Sequence, residues 1–329
     1  MDSNRVNIVG WYNKKNCGDE SYKEAFPKLF PQYDFVFSDY PVKDADAYII
    51  GGGDVLTKKL LQTFTAIDKP KHIMSVTVSE DFDSQLLKGY RTIIVRDKNS
   101  RERLLKNGVD SLLYPDFSFC LDYNKERGNS LVQKLFAVNK HELYHKKIGI
   151  VINGHLLPPH GASAFEQSRF ERFAFDLSIA IDQTPASFVF IPFSTKQPWD
   201  DRISNGIVAS RCKWWKKNAI FFDDLSVTDT LDIISSCDSI ISTRLHSSIF
   251  STATEVPFID ITHNHKNRYF LETIGYQKNS IGFADFNSAK MVSLAKSLLS
   301  NTDNNEEIGS IASMNKFLLN ELKKNMLLT

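Results

Sequence analysis

Arg244 and His246 are the two residues of this sequence best suited to act as a pair. They stand in Ser239-Ile-Ile-Ser-Thr-Arg-Leu-His-Ser-Ser-Ile-Phe250, where an apolar run gives way to small residues that suit a helix. At such a strand-to-helix junction both side chains reach the mouth of a crevice, so a guanidinium fork can hold a doubly charged anion beside a proton donor. A core histidine next to a surface arginine is the plainer alternative. Arg96, in Val95-Arg-Asp-Lys-Asn-Ser100, offers a second fork for carboxylate or phosphate, or else pairs with Asp97 or a neighbouring acid while Ser100 caps the next helix. Asp116, in Tyr114-Pro-Asp-Phe117, reads as an acid/base or as a turn former.

Three further groups belong to the same inventory. Asn16, Gly18 and Asp19 lie in the polar stretch Asn13-Lys-Lys-Asn-Cys-Gly-Asp-Glu20, which supplies substrate contacts or a loop in which Asp19 caps a helix. Gly51-Gly-Gly-Asp54 lets a ligand or another backbone come close just ahead of a helix N-terminus suited to anions, so Gly52, Gly53 and Asp54 are candidate contacts. A tight structural turn explains the same glycines. Their spacing fits neither the dinucleotide fingerprint nor the P-loop. Lys266 follows Ile261-Thr-His-Asn-His265 and opens a helix, although a lone lysine more often faces solvent.

These residues need a scaffold that brings strand ends together. Short apolar runs at Arg5–Trp11, Asp34–Phe37, Ala47–Ile50, His72–Val78, Thr92–Val95 and Ser111–Tyr114 alternate with amphipathic stretches, the pattern of βα units on a parallel sheet. After a charged, helical stretch over Asp122–His145, a second series begins at Lys147–Ile152. It continues through Ser187–Phe193, Ala219–Phe222, Ser239–Ser242 and Pro257–Ile261. The expectation is an α/β chain of two Rossmann-like domains facing each other across a cleft: residues 1–140, residues 141–285, and a helical tail over 286–329 that packs back on the first. Open α/β sheets bind ligands at the carboxyl ends of their strands, where every residue named above falls.

Composition supports this frame. A chain of 329 residues exceeds what one core usually serves, so two cores are expected. Its 42% hydrophobic and 24% charged residues are those of an ordinary folded protein. With 40 basic and 39 acidic residues the net charge is +1, which provides no global field for nucleic acid. The four cysteines are too widely separated for a zinc or redox pair and fit reduced thiols in a cytoplasm. The apolar run at Val6–Gly10 is too short for a signal peptide, and no segment reaches the ~20 apolar residues of a membrane span. The expected location is cytoplasmic.

Taken together, the segments resemble polysaccharide pyruvyl transferases. The matching pieces are Asn16-Cys-Gly-Asp19, Gly51–Asp54, Arg96-Asp97 with Ser100, Tyr114-Pro-Asp116, and above all Ser242-Thr-Arg-Leu-His246 running on to Thr252-Ala-Thr-Glu-Val-Pro257. Lys266, Phe270 and Ile274-Gly275 follow in order. The resemblance covers most of residues 5–280 and implies a GT-B-like fold. It also implies transfer of the pyruvyl group of phosphoenolpyruvate onto two hydroxyls of a sugar or glycan acceptor, forming a cyclic ketal. On that basis Arg244, His246 and Asp19 are catalytic, with Arg244 and the backbone near Leu245 on the donor's phosphate or carboxylate. His246 hydrogen-bonds the same group or moves a proton, and Arg96 reaches over from the opposite domain. No cofactor or metal is implied beyond phosphoenolpyruvate as donor substrate.

The sequence departs from the family pattern at Cys17 and in the loop Asn153-Gly-His-Leu-Leu-Pro-Pro-His160, whose His155 or His160 either contacts acceptor or is structural. The rival reading is a GT-B glycosyltransferase with a nucleotide-activated sugar, which needs a late carboxylate for the ribose. Glu255 is the candidate. A non-catalytic partner would lack the charged cleft residues present here.

Overall fold

The computed structural model describes residues 4–81, 83–159, 161–300 and 303–328. Its strands are apolar runs without polar alternation, as expected where both faces of a parallel sheet are covered by helices. The first sheet contains β1 (Arg5–Val9), β2 (Asp34–Ser38), β3 (Ala47–Gly53), β4 (Lys71–Val76), β5 (Thr92–Val95) and β6 (Leu112–Leu113). Their order is β2-β1-β3-β4-β5-β6, all parallel. The second contains β7 (Lys147–Val151), β8 (Ser187–Phe190), β9 (Asn218–Ile220), β10 (Ser239–Ser242), β11 (Phe258–Thr262) and β12 (Ser280–Gly282). They run β12-β11-β10-β7-β8-β9, again parallel. Two Rossmann-like units therefore face each other, with β3 and β10 near the middle of their sheets.

The helices of the first unit are α1 (Cys17–Glu20), α2 (Tyr22–Leu29), α3 (Lys58–Thr63) and α4 (Lys98–Lys106). Then come α5 (Lys125–Val138), α6 (Ala164–Gln183), α7 (Asp201–Arg211), α8 (Val227–Ser235), α9 (Leu245–Ala253), α10 (His265–Ile274), α11 (Ser288–Ser300) and α12 (Asp303–Asn325). Caps differ from the sequence reading in two places that matter. Asn16, not Asp19, caps α1 by accepting from Gly18 N, and Asp97, not Ser100, caps α4 by accepting from Ser100 N at 2.7 Å. The side chain of Asp19 is thereby released.

The division of the chain among the two units is less simple than a cut at residue 140. α5 packs on α8 of the second unit: Asn124 N donates to Asp232, and Arg127 pairs with the same carboxylate at 2.6 Å. Gly128 makes that approach possible, because a Cβ there would sit 1.8 Å from the Asp232 carbonyl oxygen. α12 lies against α2 and the turn Phe117–Cys120 of the first unit, and Tyr33 Oη and His72 Nε2 hold the backbone of Leu328.

Two separate cores are not what forms. One cluster fills the outer face of the first sheet around Ile50, Val76 and Leu104, and another fills the α6 and α11 side of the second around Ile150, Phe173 and Phe188. The largest cluster passes between the units, joining Phe26 and Phe117 to Phe193, Phe250, Ile308 and Leu322. Among the described residues no helix is long and apolar enough to cross a membrane.

Candidate functional site

The carboxyl ends of the sheets converge on a pocket between the units. Asn16, Asp19, Gly53, Asp54 and Arg96 line it from the first unit, and Arg244, Leu245, His246 and Lys266 line it from the second. Local structure explains why each arrives there. β3 runs on through its glycines, and Gly52 and Gly53 take φ values of +78° and +93° that bring the chain into the pocket wall. α9 begins at Arg244 with no side chain capping its free N–H groups, so the backbone at Leu245 faces the pocket as an uncapped helix N-terminus. The apolar run after β8 leaves its sheet at Ile191 and crosses to the first unit, where Cys17 N donates to Phe193 O at 2.7 Å and Asn16 bridges Ser194.

Each arginine is anchored by a buried carboxylate. Arg96 donates from Nη1 to Asp116 at 2.8 Å and to Tyr22 Oη at 2.9 Å, and from Nε to Thr77 at 2.9 Å. Its Nη2 has no partner among the described residues. Arg244, 9% exposed, donates from Nη2 to Asp201 at 2.5 Å, while its buried Nε has no partner. Asp201 is itself fixed by backbone N–H groups of Gly154, Phe193 and Ser194 at 2.8, 2.9 and 3.0 Å. The loops after β7 and β8 are thus tied to the arginine that follows β10. Lys266 Nζ meets Asp54 at 3.0 Å, and Asp54 also accepts from Ser79, which bonds His265 across the cleft at 2.9 Å.

Electrostatics separate the titrating groups. Burial pushes the Asp19 carboxyl up to about 7, against the lowering pull of Arg96, Lys266 and Arg244. It makes no hydrogen bond among the described residues and rests against Gly53, where a Cβ would lie 3.0 Å from Oδ1. Burial drives His246 the other way, down to about 3, despite the attraction of Asp116 3.9 Å away. Its imidazole is neutral at ordinary pH. Burial raises Asp116 too, yet Arg96, His246 and the Tyr22 hydroxyl at 2.5 Å hold it below the usual carboxylate range. The pocket accordingly presents three cations, a neutral imidazole, the ionised Asp54 on Lys266, and the Asp19 carboxyl, which is half protonated near neutrality.

Three residues read as substrate contacts do not line the pocket. Gly18 lies beneath His246, and a Cβ there would meet Nδ1 at 2.2 Å. Gly52 lies under the Tyr22 ring in the same way. Asp116 is 2% exposed, caps the turn at Ser118 and holds Arg96 from behind. All three position neighbours. Trp11, Asn153 and Phe193 line the pocket without having been singled out for it, and Asp201 and Tyr22 organise it. A paired acid at Asp200-Asp201 just before a helix was the available signal. His155 stacks on Trp199 at 4.5 Å in a neighbouring cavity, and His160 lies outside the described residues. Glu255 falls at the far end of α9, 3.7 Å from Lys316, and does not line the pocket. Among the described residues no cluster of His, Cys, Asp and Glu is disposed to hold a metal ion.

The family model for polysaccharide pyruvyl transferases matches residues 5–265. The chain belongs to that family. Solved structures place the chain in a wider fold group. A putative UDP-N-acetylglucosamine 2-epimerase from Listeria monocytogenes superposes with a TM-score of 0.61 at 9% identity, covering 98% of this chain and 95% of that one. The MnaA–UDP structure from S. aureus gives 0.64 at 8% identity, covering 97% and 94%. The glycosyltransferase VinC, in complex with dTDP, gives 0.59 at 10% identity, covering 96% and 97%. At such identities the likeness is one of fold, the GT-B arrangement. No protein of curated function matches the chain in sequence.

Proposed function

We propose that the chain transfers the pyruvyl group of phosphoenolpyruvate onto two hydroxyls of one sugar, forming a cyclic ketal and releasing phosphate. The observation that carries this reading is the convergence of Arg96, Arg244 and Lys266, from both units, around the unpaired Asp19 carboxyl. Phosphoenolpyruvate brings a carboxylate and a phosphate into one small molecule and suits this clamp. The Arg244 guanidinium and the uncapped start of α9 hold one anionic group; Lys266 and Nη2 of Arg96 hold the other. Protonated Asp19 delivers its proton to the methylene carbon, leaving positive charge at the adjacent carbon. A sugar hydroxyl adds there and returns a proton to Asp19. The carbon–oxygen bond to phosphate then breaks, the second hydroxyl closes the ring, and its proton leaves with phosphate. The chemistry is redox-neutral and calls on no cofactor. His246, being neutral, hydrogen-bonds the bound anion and leaves the acid's role to Asp19.

The nucleotide-sugar reading loses support because its ribose carboxylate, Glu255, is remote from the pocket. The test is incubation with phosphoenolpyruvate and a panel of glycosides, nucleotide sugars and lipid-linked sugars, reading phosphate release together with a ketal. Glycosyl transfer from a nucleotide sugar, or phosphate release without a ketal, would overturn the proposal.

A further inference from the structure

A second cavity adjoins the donor pocket through the same two loops. The pocket ends on Asn153 and Asn264; the cavity begins on His155 and His263, one or two residues along the chain. Its far side is formed by α6 and the turn after β12. There the Arg169 guanidinium lies over the Phe283 ring at 5.6 Å and near the Phe165 ring at 5.9 Å, with no carboxylate at ion-pair distance among the described residues. The neighbouring Glu166 is already engaged by Ser163. A guanidinium that meets aromatic rings instead of a carboxylate keeps its N–H donors available to a ligand. His155, stacked on Trp199, has no hydrogen-bond partner for its ring nitrogens among the described residues. Burial keeps the His155 ring below its ordinary value, so it is a neutral donor–acceptor suited to hydroxyls, whereas the His263 ring is already taken up, Nε2 by Asn264 and Nδ1 by burial.

Resting on the reading of the donor pocket, we infer that this cavity is an acceptor subsite for a neutral glycan: the sugar that receives the ketal sits in the pocket, and the next sugar lies against Phe283 and hydrogen-bonds Arg169 and His155. Aromatic faces with a few oriented polar groups are the recognised make-up of such sites. The acceptor is then at least a disaccharide, and its second unit carries specificity.

The test is saturation-transfer NMR on the full chain with lactose, cellobiose, maltose and chitobiose as probes. Transfer from at least one is expected, and it is lost in Arg169→Ala and in Phe283→Ala. Both substitutions are at the surface of the cavity, and each variant should keep the wild-type rise in Tm with phosphoenolpyruvate. In turnover, the KM for an extended acceptor should rise at least tenfold with kcat unchanged. Absence of transfer from all four probes, or transfer that survives both substitutions, overturns the subsite. A wild-type chain whose Tm ignores phosphoenolpyruvate instead sinks the donor reading, so the two failures are separable.

Discussion

Asp19 is where protonation and chemistry meet. The proposed step needs the acid form, so with a carboxyl at about 7 the competent fraction is full at pH 5–6 and falls as pH rises through neutrality. A pH–rate profile at saturating substrates should descend on its alkaline side near pH 7, and Asp19→Asn should lower kcat by about 100-fold or more. A profile flat from pH 6 to 8 would remove Asp19 from the mechanism. Arg244 makes a second case. Removing it to alanine leaves the buried Asp201 carboxylate without its ion pair, a change that costs about 3 kcal/mol in stability before any ligand is considered. Arg244→Lys keeps a charge near Asp201 but loses the planar fork. It should therefore fold, as read by thermal unfolding, yet show no phosphoenolpyruvate-induced rise in Tm. A normal rise would mean the anion is bound elsewhere.

At the scale of elements, the close packing of α1 on α9 is as much part of the site as the charges. His246 can lie where it does because Gly18 has no Cβ. Gly18→Ala should force the two helices apart, lowering stability by about 1–3 kcal/mol. Trimming His246 to alanine in that background should restore most of the loss. A double-mutant cycle by denaturant unfolding measures the coupling, and additive effects would show that the contact is immaterial. The same contact marks what the sequence could and could not reveal. β5 and β10 were legible to the residue because unbroken Thr92–Val95 and Ser239–Ser242 runs end on polar residues. The short β12 and the four-residue α1 carry too few residues for periodicity to show. Arg96 and Arg244 could be placed at strand ends and Lys266 at a helix start, since a parallel sheet sends the carboxyl ends of its strands, and the helices that follow them, to one side. Asp201 offered only the acid pair with Asp200 as a signal, because its role depends on backbone N–H groups from the loops after β7 and β8, which come together only in the fold.

The whole molecule departs most from expectation in its core. Two facing sheets suggest two bodies that unfold one after the other, and length alone argues the same way. The apolar cluster that runs from Phe26 and Phe117 to Phe193 and Phe250 belongs to both, and Tyr22 meets His246 edge-on across the join at 5.9 Å. α12 seals this seam, with Ile308, Leu319 and Leu322 in the shared cluster and its end fixed to Tyr33 and His72. Neither unit can open without exposing apolar surface on the other. Unfolding should therefore be one cooperative transition despite 329 residues, with equal calorimetric and van't Hoff enthalpies. Phe117→Ala, a loss of about 3–5 kcal/mol at the seam, should lower that single transition as a whole. Two resolved transitions in the wild type, or a shift in one of two in the variant, would mean that each unit keeps a core of its own and that the cleft is free to hinge.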